Sequence, residues 1–226
     1  MSPSLPSILI LLSAFFSFAS AGDDYSIGFD TSDSIQREDL ECLRSINRAS
    51  FAIYEVWNNY YNFIGIQNIK NALAAGYTSD KVDAYMKLCV EGCAYGSNQI
   101  EVIINKLHTE NASIGRLWID IQSYDFGKNM TTNRQFLLDM VKKATLMKMP
   151  VGVRTSLSEW NYTVGKEWKG LADVPLWWHD QNGRQDMDEF VPFGGWTVPT
   201  LHLFAAEHNL KCFVEINASV KRASTS

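Results

Sequence analysis

The chain has no cluster of basic residues, no long apolar run beyond its N-terminal segment, and no histidine pair at metal-ligand spacing. Each absence excludes something. Lys and Arg number 20 against 25 Asp and Glu, a formal net charge of −5. That balance argues against nucleic acid and anionic membrane surfaces, and is the wrong sign for attraction to an anionic bacterial surface. Without a second apolar run there is no candidate span. Without paired histidines, neither a metal site nor a cofactor is expected. No repeat, low-complexity linker or composition break divides the chain. A single domain over residues 22–226, acting as a monomer, is expected.

The N-terminal segment is a different matter. Met1 to Ala21 carries no charge, holds an apolar run from Ile8 to Phe18, and ends in Ala19-Ser20-Ala21. The run is about 11 residues, whereas a membrane span needs roughly 20. A short apolar core before a small-x-small site reads as a signal peptide cut before Gly22, so the protein is expected to be secreted and extracellular. Four sequons fit that address, at Asn111, Asn129, Asn161 and Asn217; each is a candidate for an N-glycan. The cysteines are Cys42, Cys89, Cys93 and Cys212. Cys89 and Cys93 have roughly metal-like spacing, but a tetrahedral zinc site usually shows a second close pair. Two disulfides are expected instead.

Along the chain, strand and helix patterns alternate. Strands are predicted over Tyr25–Asp30, Phe51–Val56, Val82–Leu88, Ile114–Ile121 and Val151–Arg154. Helices are predicted over 35–47, around Ile66, Ile69 and Leu73 with Gly76 closing, and around Ile100, Ile103, Ile104 and Leu107. A fourth, with Phe136, Leu137, Met140, Val141 and Ala144 inward, is capped near Thr131 or Thr132. Leu176–His179, Leu201–Ala206 and Cys212–Ile216 then read as strands separated by short or irregular segments. Strand-helix units need a parallel sheet with right-handed crossovers. Five units and three further strands make an irregular eight-stranded barrel. Four cysteines allow three pairings. The closed barrel favours Cys89–Cys93 as a local bridge and Cys42–Cys212 joining the first helix to the last strand.

Ligands of such barrels sit at the C-terminal strand ends. There the first strand ends at Asp30. In the fourth, Trp118, Asp120 and Gln122 share a face by alternation. The eighth strand is expected to end near Glu215. Three acidic groups from distant parts of the chain converge.

With those residues in view, the sequence resembles the glycoside hydrolase family 25 lysozymes, in their secreted invertebrate branch. The likeness runs over the whole mature chain. It rests on Gly28-Phe29-Asp30 with Ser32, Asp83-Ala84-Tyr85-Met86, Leu117-Trp118-Ile119-Asp120-Ile121, Pro175-Leu176-Trp177-Trp178, and Pro192-Phe193-Gly194-Gly195-Trp196 with Pro199. It implies an α/β fold, a flattened TIM-like barrel with five helices and three extra strands. It also implies an enzyme that cuts the β-1,4 bond between N-acetylmuramic acid and N-acetylglucosamine in peptidoglycan. In that family the fourth strand ends in Asp-x-Glu, the Glu being the proton donor, and Asp residues on the first and last strands complete the site. Here Asp30 and Asp120 match, Gln122 replaces the Glu, and Glu215 replaces the last Asp.

An amide cannot protonate a leaving oxygen near neutral pH, a role worth roughly 10²–10⁴-fold. The resemblance therefore implies a catalytically impaired protein binding bacterial cell-wall glycan or another N-acetylated glycan, in defence against bacteria. An active muramidase with another acid, or a protein-interaction barrel with a vestigial cleft, are the alternatives. Lys87 and Leu203-Phe204 also depart from the family's aromatics, and Lys87 is expected near Asp120, favouring its ionised form. For that reason, and because Glu215 is a methylene longer than Asp, Gln122→Glu alone is expected to restore little. Glu55, ending the second strand, is the other carboxylate that could face the mouth; it reads as a salt-bridged side chain. Tyr85 and Trp178 are assigned to sugar contact; Trp118, Trp177 and Trp196 are assigned to packing, and His179 and His202 to structural roles.

Overall fold

The computed structural model describes residues 25–223 apart from 91, 210, 211 and 213. The expected signal segment and its cleavage site lie outside them. Eight strands close a barrel in sequence order. They are β1 (Tyr25–Thr31), β2 (Phe51–Asn58), β3 (Val82–Lys87), β4 (Leu117–Asp120), β5 (Val151–Thr155), β6 (Leu176–His179), β7 (Leu201–Asn209) and β8 (Val214–Arg222). Neighbours from β1 to β7 pair in parallel, and β8 runs antiparallel to both β7 and β1. The helices are α1 (Arg37–Asn47), α2 (Phe63–Ala74), α3 (Gly96–Thr109), α4 (Met130–Leu146) and α5 (Leu157–Val164).

Two core layers follow from strand alternation. Outward-facing strand residues such as Phe29, Tyr54 and Met86 pack under helix residues Ile66, Ile69, Ile100, Ile103, Leu137 and Met140. This is the predicted helical periodicity made physical. Inside the barrel sits a smaller cluster of Phe51, Ile53, Tyr85, Trp118, Trp177, Leu201 and Leu203. Large rings fit there because glycine faces them. A Cβ at Gly28 would lie 2.4 Å from the Phe51 ring, and one at Gly152 would lie 2.3 Å from Trp118.

Several boundaries differ from the sequence reading. Helix α4 is capped by Asn129, whose side chain accepts from the backbone N–H groups of Thr131 and Thr132. The threonines supply the amides rather than the cap. Helix α5 completes the five expected strand-helix units, although no apolar pattern fixed its position. It is 8 residues long, too short for a clear apolar stripe, and Ser156 caps it. Strand β4 is shorter than predicted. Strand β8 begins at Val214, so Glu215 lies near its start rather than its end. The reversal of β8 still brings that start to the mouth, where Asn217 pairs with Asp30.

Both expected disulfides are present, Cys42–Cys212 and Cys89–Cys93, with Cα atoms 5.9 and 5.7 Å apart. Among the described residues no helix is long and apolar enough to cross a membrane.

Candidate active site

The inward positions one layer above the aromatic cluster carry charge. Asp30 on β1, Glu55 on β2, Asp120 on β4 and Arg154 on β5 are all buried, and Lys87 ends β3. Their spacing follows from the parallel register, which aligns Lys87 with Asp120 and Asp120 with Arg154.

Each carboxylate is held. Arg154 Nη1 lies 3.2 Å from Asp120 Oδ2, and the Gln122 amide donates to Asp120 Oδ1 at 2.8 Å. Lys87 Nζ stands 2.8 Å from Glu55 Oε2. Glu55 also accepts from the Tyr85 hydroxyl at 3.3 Å and the Asn62 amide at 3.1 Å. Asp30 Oδ2 accepts from the Asn217 amide at 2.9 Å, and Oδ1 is buried without a hydrogen bond. The Arg154 guanidinium also sits over the Tyr85 and Trp177 rings, 5.2 and 4.7 Å from their centroids, which helps keep a buried cation in place.

Burial dominates the electrostatics. It pushes the Asp30 carboxyl up to about 6, opposed by Arg154 and the Asn217 hydrogen bond. Asp125, on the 3₁₀ turn Ser123–Asp125 that follows Gln122, is also raised to about 6, by burial and then by the charge of Asp120. The Tyr85 phenol is raised, by burial first and then by Asp30. The charges of Asp120 and Asp30 hold Arg154 firmly protonated against burial.

Four sequence-predicted residues, Asp30, Asp120, Gln122 and Tyr85, meet at the mouth. A cavity of about 380 Å³ there is lined by Asp30, Asp33, Tyr85, Glu215 and Asn217, among others, so Glu215 reaches the site from the start of β8. Trp178 is a correction. Alternation along β6 sends Trp177 inward and Trp178 outward, where it stacks on His202 with centroids 4.1 Å apart. It therefore lines a different cavity from Tyr85.

Lys87 lies beside Asp120 in register, as expected, but its ion pair is with Glu55, and Asp120 takes Arg154. Among the sequons, Asn111, Asn129 and Asn161 are exposed. Asn217 is half-buried, and its Nδ2 donates to Asp30 at the mouth.

The sequence reading missed Arg154 and Asn217 as site residues. The signal for Arg154 was present: a charged residue ending a strand, two positions after an inward glycine. Asn217 was obscured by its sequon.

Comparison with known proteins agrees with this geometry. A family model described as Lysozyme-like protein 1 matches residues 21–204. Lysozyme-like protein 5 of Caenorhabditis elegans is 30% identical over 193 residues, covering 84% of this chain and 88% of that one. Probable GH family 25 lysozyme 2 of Dictyostelium discoideum is 30% identical over 195 residues, covering 85% and 89%. Among solved structures, the family GH25 lysozyme from Aspergillus fumigatus superposes with a TM-score of 0.66 at 15% identity, over 89% of this chain and 95% of that one. The muramidase from Acremonium alcalophilum gives 0.68 at 13% identity, over 88% and 95%. With the family match running from the start of the barrel into β7, and relatives at 30% identity covering more than four fifths of the sequence, this chain belongs to the lysozyme-like family, on the barrel of the GH25 lysozymes.

Proposed function

We propose that this chain is a secreted glycan-binding protein of innate defence that holds N-acetylated wall glycan at the barrel mouth and hydrolyses it far more slowly than a GH25 lysozyme. The observation that carries the reading is Gln122. Its amide occupies the place where the resemblance calls for the proton donor, and it is committed to Asp120 at 2.8 Å. An aglycone alcohol is a poor leaving group without a proton, so losing the acid costs roughly 10²–10⁴-fold.

Asp120 and Glu55 do not replace it, because each is already engaged in an ion pair, with Arg154 and Lys87 respectively. The cavity beside Asp30 and Tyr85 is large enough for a sugar ring, and that ring can bind without being cut. Purified protein mixed with bacterial walls should sediment with them while leaving turbidity unchanged on the timescale of an active lysozyme. Rapid clearing would overturn the impaired reading, and absence from the pellet would overturn glycan binding.

One observation favours a second reading, an active muramidase. Asp125 is a half-buried carboxyl beside Asp120, pushed up to about 6, and a protonated carboxyl near an ionised one is the pattern of an acid catalyst. If it served, lysis would be measurable near pH 5 and abolished by Asp125→Asn.

A further inference from the structure

A second cavity, about 450 Å³, opens beside the mouth and shares no lining residue with the first. Its walls come from the β5–α5 corner, α5 and the segment after it, and the end of β6 with the loop that follows. Trp178, Leu157 and Val191 give it an apolar lining. Val191 is 56% exposed, an apolar side chain left to solvent.

Charge of both signs is set on different walls. Lys166 stands on the segment after α5, and Asp180 and Glu189 on the loop after β6. That loop is pinned. Buried His202 places its Nε2 and Nδ1 2.8 and 2.5 Å from the backbone carbonyl oxygens of Asp180 and Asp186, while its ring stacks on Trp178. The cavity is thus a built feature, not a gap between mobile loops.

His179 links it to the mouth. It lines this cavity and ends β6, the strand paired with β5, on which Arg154 of the mouth stands opposite Trp177. A chain seated over the mouth could therefore extend a side group past His179 into the second cavity. An apolar lining with a cation on one wall and carboxylates on the other matches a short amino-acid side group carrying both carboxylate and ammonium. The volume falls within the range of small-ligand sites.

We propose that this second cavity is a subsite for the peptide side group of wall glycan, with a free carboxylate at Lys166, an ammonium at Asp180 and Glu189, and aliphatic atoms against Trp178, Leu157 and Val191. The inference rests on the reading that the mouth holds wall glycan. It adds a preference for peptide-bearing over naked glycan.

Titration calorimetry on the purified chain tests it with two probes, chitotriose as naked glycan and a muramyl tripeptide ending in lysine. The wild type is expected to bind the muramyl tripeptide more tightly. Lys166→Glu should weaken that probe by about tenfold, since one charge-assisted contact becomes a like-charge one, and should leave chitotriose unchanged. Val191→Asp, on an exposed side chain that the fold does not depend on, should act in the same direction. Equal affinity for both probes, or equal loss for both in the variants, would overturn the subsite while leaving glycan binding intact. Binding of neither probe to the wild type would overturn both readings.

Discussion

Asp30→Asn should make the protein more stable at pH 7 and leave it little changed at pH 4. The Asp30 carboxyl is completely buried, and folding raises it from 3.8 to about 6. A raised acid disfavours its ionised form in the fold. Below pH 3.8 folded and unfolded chains both keep the proton, and the group carries no penalty. As pH rises towards 6, the unfolded chain releases its proton freely while the folded chain resists, so stability falls. At 1.36 kcal/mol per pH unit the loss is complete above about pH 6 and totals about 3 kcal/mol.

Asparagine has the same shape, keeps an oxygen to accept from the Asn217 amide, and carries no charge. Arg154 loses one of the anions that act on it, but Asp120 stays 3.2 Å away. Allowing for that loss, the variant should gain about 1–3 kcal/mol at pH 7. A domain typically has only about 5–15 kcal/mol to begin with. Urea unfolding followed by tryptophan fluorescence, at pH 4 and pH 7, measures the difference. A variant destabilised equally at both values would refute the reasoning, since Asp30 would then be a stabilising ionised partner and not a strained one.

Three further expectations follow from the same interior. Arg154→Met should cost about 3–5 kcal/mol at pH 7 by leaving Asp120 buried without its cation, whereas Arg154→Met with Asp120→Leu should recover most of the loss; thermal melts of the two variants decide it. On sequence grounds Gln122→Glu is expected to do little, because Glu215 is a methylene longer than Asp and Lys87 would hold the new carboxylate ionised. With Lys87 committed to Glu55 and the position 122 side chain 2.8 Å from Asp120, two carboxyls would instead share a proton, so wall lysis should rise by about 10²-fold or more, and no rise would place the remaining defect at Glu215 or Glu55. Replacing Cys42 and Cys212 with Ala should cost about 5 kcal/mol, since the bridge closes a separation of 170 residues, and replacing Cys89 and Cys93 about 2 kcal/mol for a separation of 4; equal losses in chemical denaturation would count against the loop-length argument.

Much of this architecture was legible in the chain. Helices α1 to α4 announced themselves because a core-facing helix must repeat its apolar residues every three or four positions. Asp30 and Asp120 could be placed at strand ends because alternation fixes which side chains share a face. What escaped detection depended on information that no local pattern carries. Helix α5, expected as the partner of the fifth strand, is too short to show the periodicity that would have fixed its bounds. Trp177 and Trp178 are adjacent and alike, so only the observed register decides which points inward. The ion pairs in the mouth are choices between strands: Lys87 lies beside both Glu55 and Asp120, and Arg154, arriving on β5, settles Lys87 on Glu55 by taking Asp120.

The reversed last strand also sets the order of events as the chain folds. Strand β1 pairs with β2 on one side and with β8 on the other, and the Asp30–Asn217 contact spans 187 residues of sequence. Strands β1 to β7 can assemble one after another as they are made. Throughout that time β1 keeps an unpaired edge, and Cys42 waits for Cys212. Closing so distant a pair is slow, and an open edge can recruit another chain. A molecule halted before Val214 would have most of a barrel, an incomplete mouth, and a sticky seam, so the final hairpin acts as the fold's latch as well as the supplier of Glu215 and Asn217.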